Sequence, residues 1–297
     1  MTSASAHKLS GLLTAIFTPF DLQGNLALDL YEPLLEFQRS AGITGVVVCG
    51  TNGEGTSLSV SERKACLESV LAQRGDFTVI AGTGAASVTD AVELTRHAAA
   101  AGADAALVLP PFFFKSPSAR GLANYFIKVL DSADLPIMLY NIPQFSAVPI
   151  TDELMEMLAG HPNLAGVKDS AGDLTRTIEF IARYPSLRIF AGSDRLALDC
   201  YTNGGAGCIS GGANAFPEVV AAVGNAFRSG NLEDAVEAQS RLDRLIDITI
   251  RYPFITSARA VIANRGLPGL GVRPPLTLLP PDQEQNLIAE LREAGFM

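Results

Sequence analysis

Short apolar, β-branched runs alternate along this chain with longer segments of helical period. The runs are Leu12–Phe17, Thr44–Cys49, Thr78–Ala81, Ala105–Leu109, Ile137–Tyr140, Leu164–Lys168, Arg188–Ala191 and Gly207–Ile209. They are nearly continuous in apolar residues, as strands covered on both faces should be. Helical pattern occupies the stretches near Asp29–Ala41, Ser61–Gln73, Ser87–Ala101, Ala119–Asp131, Thr151–Leu158, Asp173–Arg183 and Leu196–Tyr201, and resumes after Pro217. Strand–helix alternation implies parallel strands joined by crossover helices. Eight repeats predict an α/β chain closed into a (β/α)8 TIM barrel of ~250 residues. A doubly wound open sheet is the alternative, but no Gly-x-Gly-x-x-Gly turn follows the first strand. Beyond Ser229 the pattern is purely helical, over Asn231–Arg251 and Phe254–Arg265. A Pro/Gly-rich connector from Gly266 to Pro281 leads to a last helix ending near Phe296. Residues 1–229 therefore read as the barrel, and 230–297 as a C-terminal helical appendage of the same domain.

Composition narrows the function. With 297 residues, 48% hydrophobic and 18% charged, the chain can bury a large core without disulfide or metal staples. A formal net charge of −9 argues against nucleic acid as a partner. Cys49, Cys66, Cys200 and Cys208 form no Cys-x-x-Cys pair and read as buried reduced thiols of a cytoplasmic protein. His7, His97 and His161 are too dispersed for a zinc site or a catalytic triad, so no metal is expected. No apolar run approaches the ~20 residues of a membrane span. The stretch Leu9–Phe20, interrupted by Gly11 and Pro19, does not read as a signal peptide.

A barrel of this kind carries its chemistry at the carboxyl ends of the strands. There stand Gly50-Thr51-Asn52-Gly53-Glu54 after strand 2, Tyr140-Asn141-Ile142-Pro143 after strand 5, and Lys168-Asp169-Ser170 after strand 6. Ala191-Gly192-Ser193-Asp194 follows strand 7, and Ser210-Gly211-Gly212-Ala213-Asn214 follows strand 8. Lys168 ends a buried strand, where desolvation disfavours the ammonium and leaves an amine able to attack a ketone. The alternative is a structural pair with Asp169. Lys115, beyond Phe112-Phe113-Phe114, is the rival lysine at the mouth and reads as solvated. Tyr140 can face the same cavity and pass a proton via Thr51, or merely cover apolar surface at the rim. The amides of Gly50–Gly53 suit a carboxylate. Glu54 reads as a loop brace before a catalytic base. The glycines after strands 7 and 8 would admit a phosphate, but Arg195 is the single cation there, so a tight turn is the better reading.

These residues resemble the dihydrodipicolinate synthase and N-acetylneuraminate lyase superfamily over almost the whole chain. One signature is Gly45-Val-Val-Val-Cys-Gly-Thr-Asn-Gly-Glu54 followed by Leu58, Ser59 and Glu62. The other joins Tyr140-Asn-Ile-Pro143 to Gly166-Val-Lys-Asp-Ser170. The resemblance implies Lys168 as Schiff-base lysine, Tyr140 as the phenol relaying protons to it, and Thr51 and Asn52 as holders of a pyruvate carboxylate. It likewise implies that the backbone at Ile209 borders the imine and that Gly192 turns beside the pocket. It implies no metal or organic cofactor, pyruvate or another 2-oxo acid as ligand, and a homotetramer built from dimers.

Departures bear on the substrate. Where the synthases carry an arginine for the semialdehyde carboxylate, this chain has Phe145. Where they place a tyrosine after strand 4, it has Phe112-Phe113-Phe114. An apolar ring cannot replace a guanidinium. The Thr51-Asn52 pair and Lys168-Asp-Ser-Ala-Gly-Asp-Leu-Thr-Arg176 resemble 4-hydroxy-2-oxoglutarate aldolases. Gly271-Val-Arg-Pro-Pro275 resembles both these and the 2-keto-3-deoxygluconate aldolases. The expected reaction is retro-aldol cleavage of a 4-hydroxy-2-oxo acid or keto-deoxy sugar acid to pyruvate and an aldehyde. Dehydration of a keto-deoxy sugar acid, dihydrodipicolinate synthesis and non-catalytic sensing of a 2-oxo acid are the alternatives.

Overall fold

The computed structural model describes residues 9–297; His7 and Lys8 lie outside them. Eight parallel strands close in sequence order, each paired with its neighbours and the eighth returning to the first. They are β1 (Gly11–Ala15), β2 (Gly45–Val48), β3 (Thr78–Gly82), β4 (Ala105–Val108), β5 (Ile137–Asn141), β6 (Leu164–Asp169), β7 (Arg188–Ala191) and β8 (Gly207–Ser210). The crossover helices are α1 (Tyr31–Ser40), α2 (Val60–Ala72), α3 (Val88–Ala101), α4 (Ala119–Leu130), α6 (Asp152–Leu158), α7 (Leu174–Arg183) and α8 (Ala197–Thr202). A single helical turn, α5 (Pro143–Ser146), follows β5 and was not foreseen from the pattern. After β8 come α9 (Pro217–Arg228), α10 (Leu232–Thr249), α11 (Phe254–Asn264) and α12 (Pro281–Glu293). The barrel expected from the alternating pattern is the fold.

Two apolar layers build it. One face of the strands fills the barrel lumen with Leu13, Val47, Ile80, Leu107, Met138, Phe190 and Ile209. The other face packs on the helices through residues such as Val46, Val79, Ala106, Leu139, Val167 and Ile189. Alternate side chains of every strand thus meet apolar neighbours, which is why the runs show no polar alternation.

Strand ends deviate from the pattern for local reasons. β2 stops before Cys49, whose φ is +57°. The carbonyl of Cys49 then points into space that a side chain would otherwise occupy. A Cβ on Gly55 would lie 2.1 Å from that oxygen, and one on Gly82 2.6 Å from it. Only glycine fits at either position. Helix α2 starts at a capping box: the Ser59 hydroxyl accepts from the Glu62 amide, and the Glu62 carboxylate accepts from the Ser59 amide. Glu62 also takes two bonds from the Arg273 guanidinium, at 2.7 and 2.9 Å. Two short motifs far apart in sequence are therefore one structural joint.

Candidate active site

Register brings the expected site residues together. Tyr140 on β5, Lys168 on β6 and Phe190 on β7 are direct partners across the sheet, so their side chains share the luminal face. Lys168 and Tyr140 are both buried, each 4% exposed. The Lys168 Nζ donates to the Tyr140 hydroxyl at 3.4 Å and lies 4.4 Å from the centre of its ring. Thr51, from the loop after β2, places its hydroxyl 3.2 Å from the same phenol oxygen. A continuous polar path thus runs from Thr51 through Tyr140 to the amine.

The alternative pairing of Lys168 with Asp169 does not occur. Successive strand residues face opposite ways, and Asp169 points out of the lumen toward α7. Its carboxylate accepts from Asn141 at 2.8 Å, from the Ala171 amide at 3.1 Å and from the Thr177 hydroxyl at 3.2 Å. Asp169 thereby secures the end of β6 and leaves the lysine to the lumen. Lys115 is exposed, and its amine is held by the Phe112 and Ser146 carbonyls.

Of the remaining expected residues, Gly192 adjoins this centre, Ile209 lines the lumen and Asn52 lies beside Gly211 after β8. Gly192, just past β7, donates its amide to the Asp169 carbonyl at 2.7 Å. A Cβ there would stand 1.9 Å from the Ser170 hydroxyl and 3.0 Å from Lys168 Cε, so the bare backbone is what lets the lysine side chain pass. Ile209, fully buried on β8, lines the lumen. Asn52 is buried, with its amide beside Gly211: a Cβ on that glycine would fall 2.6 Å from Asn52 Nδ2.

Electrostatics draws in further groups, to which the sequence assigned no part in the chemistry. The enclosed Asp194 carboxylate accepts from the Gly212 amide at 3.1 Å and approaches Cys208 Sγ at 3.6 Å. Burial raises its pKa above the ordinary carboxylate value, opposed by its hydrogen bonds and by the nearby charge of Lys168. Burial likewise pushes the Cys208 thiol well up. All four cysteines are buried and unbridged, as expected. Ser170 keeps a buried hydroxyl without a partner, beside Gly192 and Lys168. Glu54 is a brace, with its carboxylate paired to Arg259 and to the Arg273 amide.

Outside the Thr51–Tyr140 pair opens a cavity of about 320 Å³. It is bounded by the loops after β2 to β5 and, from the C-terminal segment, by Ile255, Pro275 and Leu276. Among the described residues no cluster of three or more His, Cys, Asp or Glu has metal-binding geometry, and no helix is long and apolar enough to cross a membrane.

A closed (β/α)8 barrel with a buried lysine and phenol at its carboxyl-terminal mouth defines the general class. Residues 8–294 match the model of the dihydrodipicolinate synthetase family, and the chain belongs to that family. It is 41% identical over 291 residues to an uncharacterized DapA-like lyase of Chloroflexus aurantiacus, covering 96% of this chain and 95% of the other. A 4-hydroxy-tetrahydrodipicolinate synthase of Cereibacter sphaeroides is 37% identical, with 97% and 100% covered. Among solved structures, YagE of E. coli K12 in complex with pyruvate superposes with a TM-score of 0.91 at 27% identity, covering 98% and 100%. A catalytic lysine mutant of the Ruminococcus gnavus sialic acid aldolase gives 0.90 at 28% identity, covering 97% of this chain and 96% of the other.

Proposed function

We propose that this chain is a class I pyruvate-dependent lyase that cleaves a 4-hydroxy-2-oxo acid or a 2-keto-3-deoxy sugar acid. The observation that carries this reading is the buried contact of the Lys168 amine with the Tyr140 hydroxyl, itself bonded to Thr51. Lys168 attacks the C2 carbonyl, water departs and an iminium forms. Tyr140 takes the proton of the C4 hydroxyl as the C3–C4 bond breaks. The aldehyde leaves, and the electron pair moves into an enamine. Protonation at C3 and hydrolysis then return pyruvate and the free amine. Amides of Gly50–Gly53, with Thr51 and Asn52, hold the substrate carboxylate, and Gly192 and Ile209 shape the space around the imine. The chemistry needs no metal or organic cofactor.

The synthase reading draws on relatives such as the Cereibacter sphaeroides protein. Phe145 stands against it, since it presents an exposed ring where that reaction needs a cation. The reading extends to a cytoplasmic homotetramer, for which the three-quarters-exposed Phe113 and Phe114 are natural interface residues. Borohydride reduction with pyruvate tests the mechanism. Mass mapping should place the adduct on Lys168, and Lys168→Ala should fold yet lose turnover by several orders of magnitude. No adduct, or one on Lys115, overturns it.

A further inference from the structure

The cavity beyond Tyr140 is unequal on its two sides. Part of its wall is the hydroxyls of Thr51 and Tyr140, which lead to the lysine; the rest is largely Leu107, Leu109, Phe112, Ile142, Phe145 and Leu276. The charged and polar groups near that apolar part are already largely committed to the protein's own backbone or to one another. The Arg63 guanidinium donates through Nη2 to the Gly82 and Gly84 carbonyls, while its Nε is buried without a partner. The Glu54 carboxylate is taken by Arg259 and the Arg273 amide. The Ser146 hydroxyl turns to the Ile142 and Val148 carbonyls, and Lys115 caps the Phe112 and Ser146 carbonyls. Gln144 is directed away, to the Ser170 carbonyl at 2.7 Å. The hydroxyls of Thr56 and Ser57, at one edge of the cavity, are what remains for a ligand.

A distal carboxylate placed here would lose its hydration and find the two nearby cations, Arg63 and Lys115, already turned to backbone carbonyls, and a chain of several hydroxyls would find few partners. An apolar group would instead gain by leaving water. The volume lies in the range of ordinary small-molecule pockets and leaves room for a ring. Resting on the lysine-dependent reading above, we infer that the substrate carries an uncharged, apolar group on C4, of the size of a phenyl ring or a branched alkyl chain. The aldehyde released is then an aromatic or branched aliphatic aldehyde. This narrows the proposed substrates to 4-hydroxy-2-oxo acids with such a group.

Two 2-oxo acids that share one head and differ only at C4 provide the test: 2-oxo-4-phenylbutanoate and 2-oxoglutarate. Calorimetry with the intact protein should show the phenyl compound binding at least tenfold tighter. Cleavage of 4-hydroxy-2-oxo-4-phenylbutanoate should exceed that of 4-hydroxy-2-oxoglutarate by at least tenfold in kcat/KM. Phe145→Arg, a change at an exposed position, should shift both ratios toward the dicarboxylate. Equal or tighter binding of 2-oxoglutarate to the unmodified protein overturns the inference, even if pyruvate and borohydride label Lys168. Failure to label Lys168, with the phenyl compound still bound tighter, overturns the lysine mechanism and leaves the apolar subsite standing.

Discussion

The guanidinium of Arg259 and the carboxylate of Glu54 meet at 2.7 Å, with each side chain only 1% exposed. The same guanidinium donates to the Thr18 carbonyl at 3.0 Å and lies 4.7 Å from the centre of the Phe17 ring. The other oxygen of Glu54 accepts from the Arg273 amide at 3.0 Å. One carboxylate thus holds the loop carrying Thr51 against both α11 and the connector that follows it. Removing one partner of a buried pair strands a charge and typically costs about 3–5 kcal/mol. Glu54→Ala should lower stability by that order and reduce turnover, because Thr51 loses its support. An unchanged urea midpoint would show that the pair is not structural.

Tyr140→Phe keeps the ring over Lys168 and deletes the oxygen that joins it to Thr51. Positioned proton transfer contributes about 10²- to 10⁴-fold to a rate. The variant should lose kcat within that range while its denaturation midpoint stays within about 1 kcal/mol of the parent. Pyruvate should still be trapped on Lys168, more slowly. A kcat equal to that of the parent would remove Tyr140 from the relay.

The Glu62–Arg273 joint makes a prediction about acid. The Arg273 guanidinium, helped by the Ser59 amide, lowers the Glu62 pKa from 4.5 to about 2. A depressed carboxyl contributes stability that is complete above its unfolded value and lost as pH falls toward the folded one. The advantage of the parent over Glu62→Gln should therefore be full above about pH 4.5 and shrink progressively toward pH 2. Allowing for solvent screening of a pair that is 20–29% exposed, the full difference is about 1–2 kcal/mol. Denaturant titrations of both proteins at pH 7, 4 and 3 measure it. A gap that widens on acidification contradicts the assignment.

Dihydrodipicolinate synthesis should be poor, with Phe145 a main reason. Losing a charged hydrogen bond to the semialdehyde carboxylate costs about 1.5–3 kcal/mol, roughly ten- to more than a hundredfold in rate. Steady-state condensation of pyruvate with aspartate semialdehyde should fall well below cleavage of hydroxy-oxo acids, and Phe145→Arg should raise it. Efficient condensation by the unmodified protein would reverse that order.

Much of this architecture was legible in the order of residues, because a strand covered on both faces leaves an apolar run that no helix interrupts. The proximity of Lys168, Tyr140 and Thr51 was legible too, since the first two end such runs and Thr51 follows another by two residues. What a linear pattern cannot carry is which side of a strand a residue takes once β6 extends to Asp169. The structural pair Lys168–Asp169 was therefore open until register put the two on opposite faces. The turn of helix at Pro143–Ser146 and the early end of β2 depend on backbone angles that side-chain type does not announce. The cavity wall was least accessible of all. It joins Leu109, Phe145 and Leu276, which nothing in their spacing relates.

The backward carbonyl of Cys49 has a consequence for how such chains can be recombined. Its oxygen occupies volume denied to any side chain at positions 55 and 82, on two different barrel units. A chimera that crosses between relatives within residues 49–82 inherits the carbonyl from one parent and the two vacant positions from either. It tolerates the crossover where both parents hold glycine at 55 and 82, and elsewhere must bring a backbone oxygen into a methyl group. The segment is thus a unit of exchange, with junctions that belong before β2 or after β3.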